Sequence, residues 1–354
     1  MKQLTGLAVA LTMLLSFTAC NSEGGGSAEA DVATTAKTEK IKDETKAKEK
    51  ETTVSEETTT TEEVTEPALE VVEPAAEDFE YQYDAVLNGA IITKYNGKSE
   101  AIRIPTELNG DKVVQIGEKA FYHGYPVVYI EIPNGIGLKQ GALSSRSLER
   151  VVLPNDLEGL SAKVFADCRK LTEVVIPDGC TYIGTLAFEN CKSLETVNIP
   201  QSVKKIYDRA FYECENLKEI VIPDSVTELE NSAFEWCKSL EEITIPARVP
   251  KLNETFRYCT GLKKVTISDG VKYIGQYAFG DCKSLKEVII PESVDEIAYL
   301  AFDNCKELRT LIIPNSETKV NSGAFSGCDA LTVTYDGEEY NYSNFDSLYK
   351  RSNR

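Results

Sequence analysis

The residues of this chain with most chemistry open to them are its ten cysteines. Eight recur in register, at Cys168, Cys191, Cys214, Cys237, Cys259, Cys282, Cys305 and Cys328, spaced 23, 23, 23, 22, 23, 23 and 23 residues apart. Cys180 is a ninth, at a position where the other repeats carry Val. In an exported protein such a set suggests disulfide staples. The periodicity argues against them. One Cys per unit, each three residues after a Phe, is a small apolar side chain at a recurring buried place. Side chains on parallel neighbouring units point the same way, which disfavours the bond even at close approach. A zinc site would want C-x-x-C pairs, and there are none. The pattern therefore predicts buried free thiols.

Other reactive sets are thin. The single histidine, His123, excludes most His-dependent catalysis and His-rich metal sites. Glu219 and Glu242 fall one repeat apart, but nothing nearby in sequence would tune one against its twin. No nucleophile, base and orienting group fall together. The chain reads as a non-enzyme with no cofactor and no metal. Its net charge is −19, of which residues 21–80 supply −12 through 6 Lys and 18 Asp plus Glu. Lys2 adds +1, so residues 81–354 carry −8. No basic face is present to neutralise phosphates, and nucleic acid is not expected as a partner.

The cysteines belong to a longer repeated string. Ala187 to Pro200 reads AFENCKSLETVNIP, Ala210 to Pro223 AFYECENLKEIVIP, and Ala233 to Pro246 AFEWCKSLEEITIP. The template is A-F-x-x-C-x-x-L-x-x-V-x-I-P, then x-x-V-x-x-I, with phenylalanines from Phe165 to Phe325. A fixed period of 22–23 residues means a solenoid, because each unit is too small to bury its own apolar face and must stack on its neighbours. Within each unit L-x-x-V-x-I-P is a strand, with Leu217, Ile220 and Ile222 directed inward and Pro223 ending the ladder. Stacking aligns the strands into one long parallel sheet and the phenylalanines into an interior column.

Before the repeats, Tyr83 to Ile116 alternates apolar with polar residues and is broken by Asn88-Gly89, Asn96-Gly97 and Asn109-Gly110. Asn-Gly is a strong hairpin signal, so this segment predicts β-hairpins capping the stack. These strings, with the cap ending in the run from Ile104 to Phe121, resemble the BspA-type leucine-rich repeats of bacterial surface proteins. The resemblance implies a BspA-type leucine-rich repeat solenoid, and a membrane-anchored surface binding protein, adhesin-like, engaging a protein on a host or bacterial surface. Some units depart from the template. Leu143 takes the Phe place and Arg146 the Cys place in one, Pro250 is extra in another, and Ser268 replaces a strand-ending Pro.

Met1 to Cys20 reads as an export signal: Lys2, an apolar run Leu4 to Leu15, then Phe17-Thr18-Ala19-Cys20, similar to a bacterial lipobox. It predicts lipidation at Cys20; an ordinary cleaved signal is the alternative. Residues 21–78, rich in Thr, Glu and Lys and lacking aromatics, predict a disordered stalk. Residues 79–120 are then the cap and first repeat, 121–331 the solenoid and 332–354 a C-terminal cap. The last segment carries Tyr335, Tyr340, Tyr342, Phe345 and Tyr349, which read as a cover for the final coil or as an aromatic contact patch.

The candidate binding face is the set of outward strand positions, expected to form a concave wall. One column holds Val175, Asn198, Val221, Thr244, Thr266, Ile289 and Ile312; beside it stand Glu219, Glu242 and Lys264. β-branched residues there are ordinary on an exposed sheet. They also fit an apolar groove, acidic in the middle coils and basic toward Lys263–Arg309, suited to a protein segment. A carbohydrate-binding or accessory module of a surface glycan-degrading system is the alternative. The chain is expected to be a monomer.

Overall fold

The structure, a computed structural model, describes residues 70–122 and 126–345. Each coil contributes a strand of two to four residues from the L-x-x-V-x-I segment and a two-residue strand from the V-x-x-I segment. The former include Glu173–Val175, Thr196–Asn198, Glu219–Ile220, Glu242–Ile245, Lys264–Ile267, Glu287–Ile289 and Thr310–Ile313. They pair in parallel at matching template positions, as Thr196 with Glu173 and with Glu219. The short strands, such as Tyr182–Ile183, Lys205–Ile206 and Glu228–Leu229, form a second parallel sheet.

Alternation follows from the two-residue period of a strand. Leu217, Ile220 and Ile222 are buried, whereas Lys218, Glu219 and Val221 are exposed. The phenylalanines form a continuous column. Ring centroids from Phe165 to Phe325 follow one another at 5.0–5.7 Å. Phe211, Phe234 and Phe256 lie within 3° of parallel. Offset stacking of this kind adds to simple area burial.

The strand-facing sheet is not one continuous ladder. It runs as three paired sets, with interruptions before Glu173–Val175 and between Glu219–Ile220 and Glu242–Ile245. Ser268 has a definite effect. Its N–H donates to Ile245 O at 3.1 Å, a bond that the proline of other coils cannot make.

At the N-terminal end, Phe79–Asp84 pairs antiparallel with Gly89–Tyr95, and Glu107–Leu108 with Asp111–Ile116 around Asn109-Gly110. Both turn residues there have positive φ, 50° and 92°. Asn96-Gly97 makes no hairpin: the next strand, Ala101–Arg103, pairs in parallel with Tyr129–Glu131 instead. Gly97 lies against the Tyr95 ring, where an added Cβ would sit 2.4 Å from the hydroxyl oxygen. The folded chain also begins earlier than Phe79. Val72 bridges Ile102, donating to Ala101 O and accepting from Arg103 N, so residues 70–78 already dock on the sheet edge. At the other end Thr332–Tyr335 and Glu338–Asn341 form a hairpin. The buried Phe345 ring sits 6.1 Å from Phe325, at the end of the column. The lipobox at Cys20, His123, the stalk before residue 70 and Tyr349 lie outside the described residues.

Candidate binding face

The nine described cysteines are all buried and free. Each register thiol donates to a carbonyl of the preceding coil: Cys191 Sγ to Phe165 O at 3.1 Å, Cys214 to Phe188 O at 3.2 Å, and so on to Cys328 on Phe302 O at 3.1 Å. The Phe carbonyls also accept the backbone N–H of their own coil's Cys, as Phe165 O does from Cys168 N at 3.0 Å, so the thiol takes the second acceptor site and ties successive coils together. Burial raises the thiol pKa values, to about 12 at Cys168 and about 11 at Cys180. These are structural thiols, not nucleophiles, which require a lowered pKa and access.

The degenerate unit corrects one reading. Arg146 is exposed, whereas Ser144 and Ser145 are buried, and Ser145 takes the Cys place. Its N–H donates to Cys168 Sγ at 3.4 Å. Leu143 does stand in for Phe, because Cys168 Sγ donates to Leu143 O at 3.2 Å. From Leu143 to Leu148 is one residue fewer than from Phe165 to Leu171, so the register slips by one in that turn.

On the outward strand column, Val175, Asn198, Val221, Thr244, Thr266 and Ile289 are exposed, and Ile312 is half-buried. Val221 is 77% and Ile289 55% exposed. Glu219, Glu242 and Lys264 stand exposed beside them. Three depressions that share lining residues follow one another across this face between Lys218 and Pro291, with volumes of about 390, 760 and 580 Å³. The first two straddle the ladder interruption, having Val221 on one side and Glu242 on the other. Gly261 lines the second, and a Cβ there would meet Lys238 O at 2.4 Å, so the close passage of the two coils requires glycine.

The expected division into acidic and basic zones is largely closed by ion pairs between successive coils. Lys218 pairs with Glu195 at 2.8 Å, Lys263 with Glu241 at 2.7 Å, and Lys264 with Glu242 at 3.9 Å. Exposed pairs of this kind contribute about 0–1 kcal/mol each. They do set the local charge: among the described residues Glu219, Lys286 and Arg309 have no ion-pair partner.

The turns hold aromatic residues that sequence reasoning did not single out. Trp236 stacks on Tyr258 at 4.2 Å, and the Arg257 guanidinium lies over Tyr258 and Tyr277 at 4.7 and 4.1 Å. Lys238 lies over Trp236 at 5.0 Å. The ring faces are thus taken by protein groups. Burial raises the carboxyl pKa of Glu235 in the same turn, against the hydrogen bond from Ser232. Two residues per coil take left-handed backbone here, such as Leu186 (φ 57°) and Asn190 (φ 60°), and the last coil places Gly323 and Gly327 at those positions. Asn or Asp before the register Cys, at Asp167, Asn190, Asp281 and Asn304, was the readable signal for the second of them.

No group of His, Cys, Asp or Glu among the described residues is arranged to hold a metal ion, and no described helix is long and apolar enough to cross a membrane.

Comparison with known proteins gives a consistent result. The pattern described as BspA type leucine-rich repeat region matches in six copies, over residues 95–218, 138–259 and 252–347. No curated protein matches the sequence. Among solved structures, the chain is similar to a Treponema pallidum leucine-rich repeat protein, with 28% identity, 60% of this chain and 90% of that one covered, and a TM-score of 0.43. It is also similar to a leucine-rich cell surface protein from Faecalibacterium prausnitzii, with 25% identity, coverage of 77% and 96%, and a TM-score of 0.36. The pneumococcal vaccine antigen PcpA aligns at 21% identity over 73% of this chain and 81% of that one, with a TM-score of 0.51, a likeness of fold.

Proposed function

The chain belongs to the BspA-type leucine-rich repeat family, and on that premise we propose that it is a protein-interaction module displayed on a bacterial surface, adhesin-like and without catalytic activity. In this reading a lipid on Cys20 anchors it, the acidic segment after Cys20 sets the repeats away from the membrane, and the outward strand face takes a polypeptide partner. The observation that carries the reading is the row of exposed β-branched side chains, Val221, Thr244, Thr266 and Ile289, along linked depressions on four successive coils. Apolar groups held outward beside a recessed surface favour burial against a partner. A sugar ligand would want open aromatic faces, and the outward strand column holds no aromatic residue, while the rings of Trp236 and Tyr258 in the turns carry protein groups.

The test replaces Val221, Thr244 and Thr266 together with Glu and compares capture of surface proteins and binding to glycan arrays. The triple variant should keep its melting behaviour, since exposed substitutions shift stability by less than about 0.5 kcal/mol each. It should lose the protein partners of the parent chain. Undiminished protein capture by the folded variant, or glycan binding in place of protein capture, would refute the assignment.

A further inference from the structure

The third depression is built differently from its neighbours. Strands Lys264–Ile267 and Glu287–Ile289 pair at Lys264 with Glu287 alone, whereas Glu287–Ile289 pairs with Thr310–Ile313 at three positions. These two strands lie under a hollow of about 580 Å³ whose lining includes Thr266, Ile289 and Pro291. Lys263, Lys264 and Lys286 line it as well, against a single carboxylate, Glu287. The second depression has equal numbers of Lys and Glu, and the first has one Lys against Asp224 and Glu242. The lining of this apolar recess thus carries three lysines against one carboxylate, while Glu241 and Glu242 beyond the lining pair with two of them. Its cations are unequally engaged. Lys263 is held by Glu241 at 2.7 Å, Lys264 reaches Glu242 only at 3.9 Å, and Lys286 has no ion-pair partner among the described residues.

We propose that this hollow is the specificity-determining subsite of the strand face, and that it selects an extended polypeptide segment in which an aliphatic residue is flanked by carboxylates. The aliphatic side chain seats over Thr266 and Ile289; the carboxylates meet Lys264 and Lys286. The inference rests on the polypeptide-binding reading above and supplies the partner's chemistry. A polypeptide suits the site because the exposed row continues over Val221 and Thr244, on coils whose core phenylalanine rings follow one another at 5.1–5.6 Å. Four coils match the length of about five extended residues. A free fatty acid would use the recess alone and leave that row uncovered.

The experiment follows methyl NMR signals of the full chain against three probes: a short end-blocked peptide alternating valine with glutamate, its lysine-for-glutamate counterpart, and octanoate. The glutamate peptide should shift the signals of Thr266 and Ile289, and with them Val221 and Thr244. Changing Lys264→Glu and Lys286→Glu together should weaken it by about tenfold, since each reversal exchanges an attraction for a repulsion. Lys286→Gln alone should produce a smaller loss without altering melting. If the lysine peptide shifts the same signals equally, the acid preference is wrong while polypeptide binding stands. If neither peptide shifts any strand-face signal, the polypeptide reading falls and the subsite falls with it. Octanoate binding as tightly as the glutamate peptide would make the hollow a fatty-acid site and overturn the proposal.

Discussion

Phe234→Ala is the most informative single perturbation of the stack. The ring is fully buried, 5.1 Å from Phe211 and 5.5 Å from Phe256, and 3° and 1° from parallel with them. Truncating a buried Phe costs about 3–5 kcal/mol in lost transfer energy and cavity. Two stacked contacts of about 0.5–1.5 kcal/mol each are lost with it, placing the change toward the upper end of that range. Phe325 is the contrast. Its rings to either side, Phe302 and Phe345, are tilted by 32° and 51°, and only a hairpin cap follows it. Phe325→Ala should therefore cost about 1–2 kcal/mol less. In a linear stack the damage should also stay near the defect. Urea unfolding with hydrogen exchange read coil by coil checks both points. Phe234→Ala should deprotect the coils of Phe211 and Phe256 first and broaden the transition. Equal destabilisation by the two changes, or uniform deprotection from end to end, would refute the nearest-neighbour reasoning.

The buried thiols make stability depend on pH in one direction. Their folded pKa lies above the unfolded value near 8.5, so stability is complete below about pH 8.5 and falls as pH rises toward the folded value of about 12 at Cys168. A Cys168→Ala variant should show a shallower alkaline loss in melts between about pH 8 and 11, and an unchanged slope would refute that origin. The nine thiols should resist alkylation in the native protein and react after unfolding without reductant. Gly261→Ala should destabilise by about 1–3 kcal/mol in thermal melts, because its methyl would overlap Lys238 O. Cys20→Ala should abolish lipid-dependent partition into detergent, and normal partition would remove the anchor from the account.

What was legible in the sequence was whatever repeats locally. Leu217, Ile220 and Ile222 declare a strand by their spacing, and Phe165 to Phe325 declare a column by their period. The second sheet is not legible as strands, because a two-residue element such as Tyr182–Ile183 shows no alternation. The Asn96-Gly97 turn misled, since local turn chemistry does not decide which strand a segment joins. On the candidate face, the columns were placed from the strand period alone. Two features were beyond it: the ladder interruption below Val221 and the one-residue pairing below Ile289. Each depends on coil-to-coil displacement, which a single unit's sequence does not encode. Arg146 failed as a Cys equivalent because the turn after Leu143 is one residue short.

Site-specific photo-crosslinking tests whether partners are held on the outward strand face, with the reactive group placed in turn at Thr244 on that face and at Asn231, exposed beyond the short second strand. A discrete polypeptide adduct is expected from Thr244, diminished when Val221 and Thr266 are both changed to Glu, and none from Asn231. An adduct from Asn231 without one from Thr244 would contradict that placement.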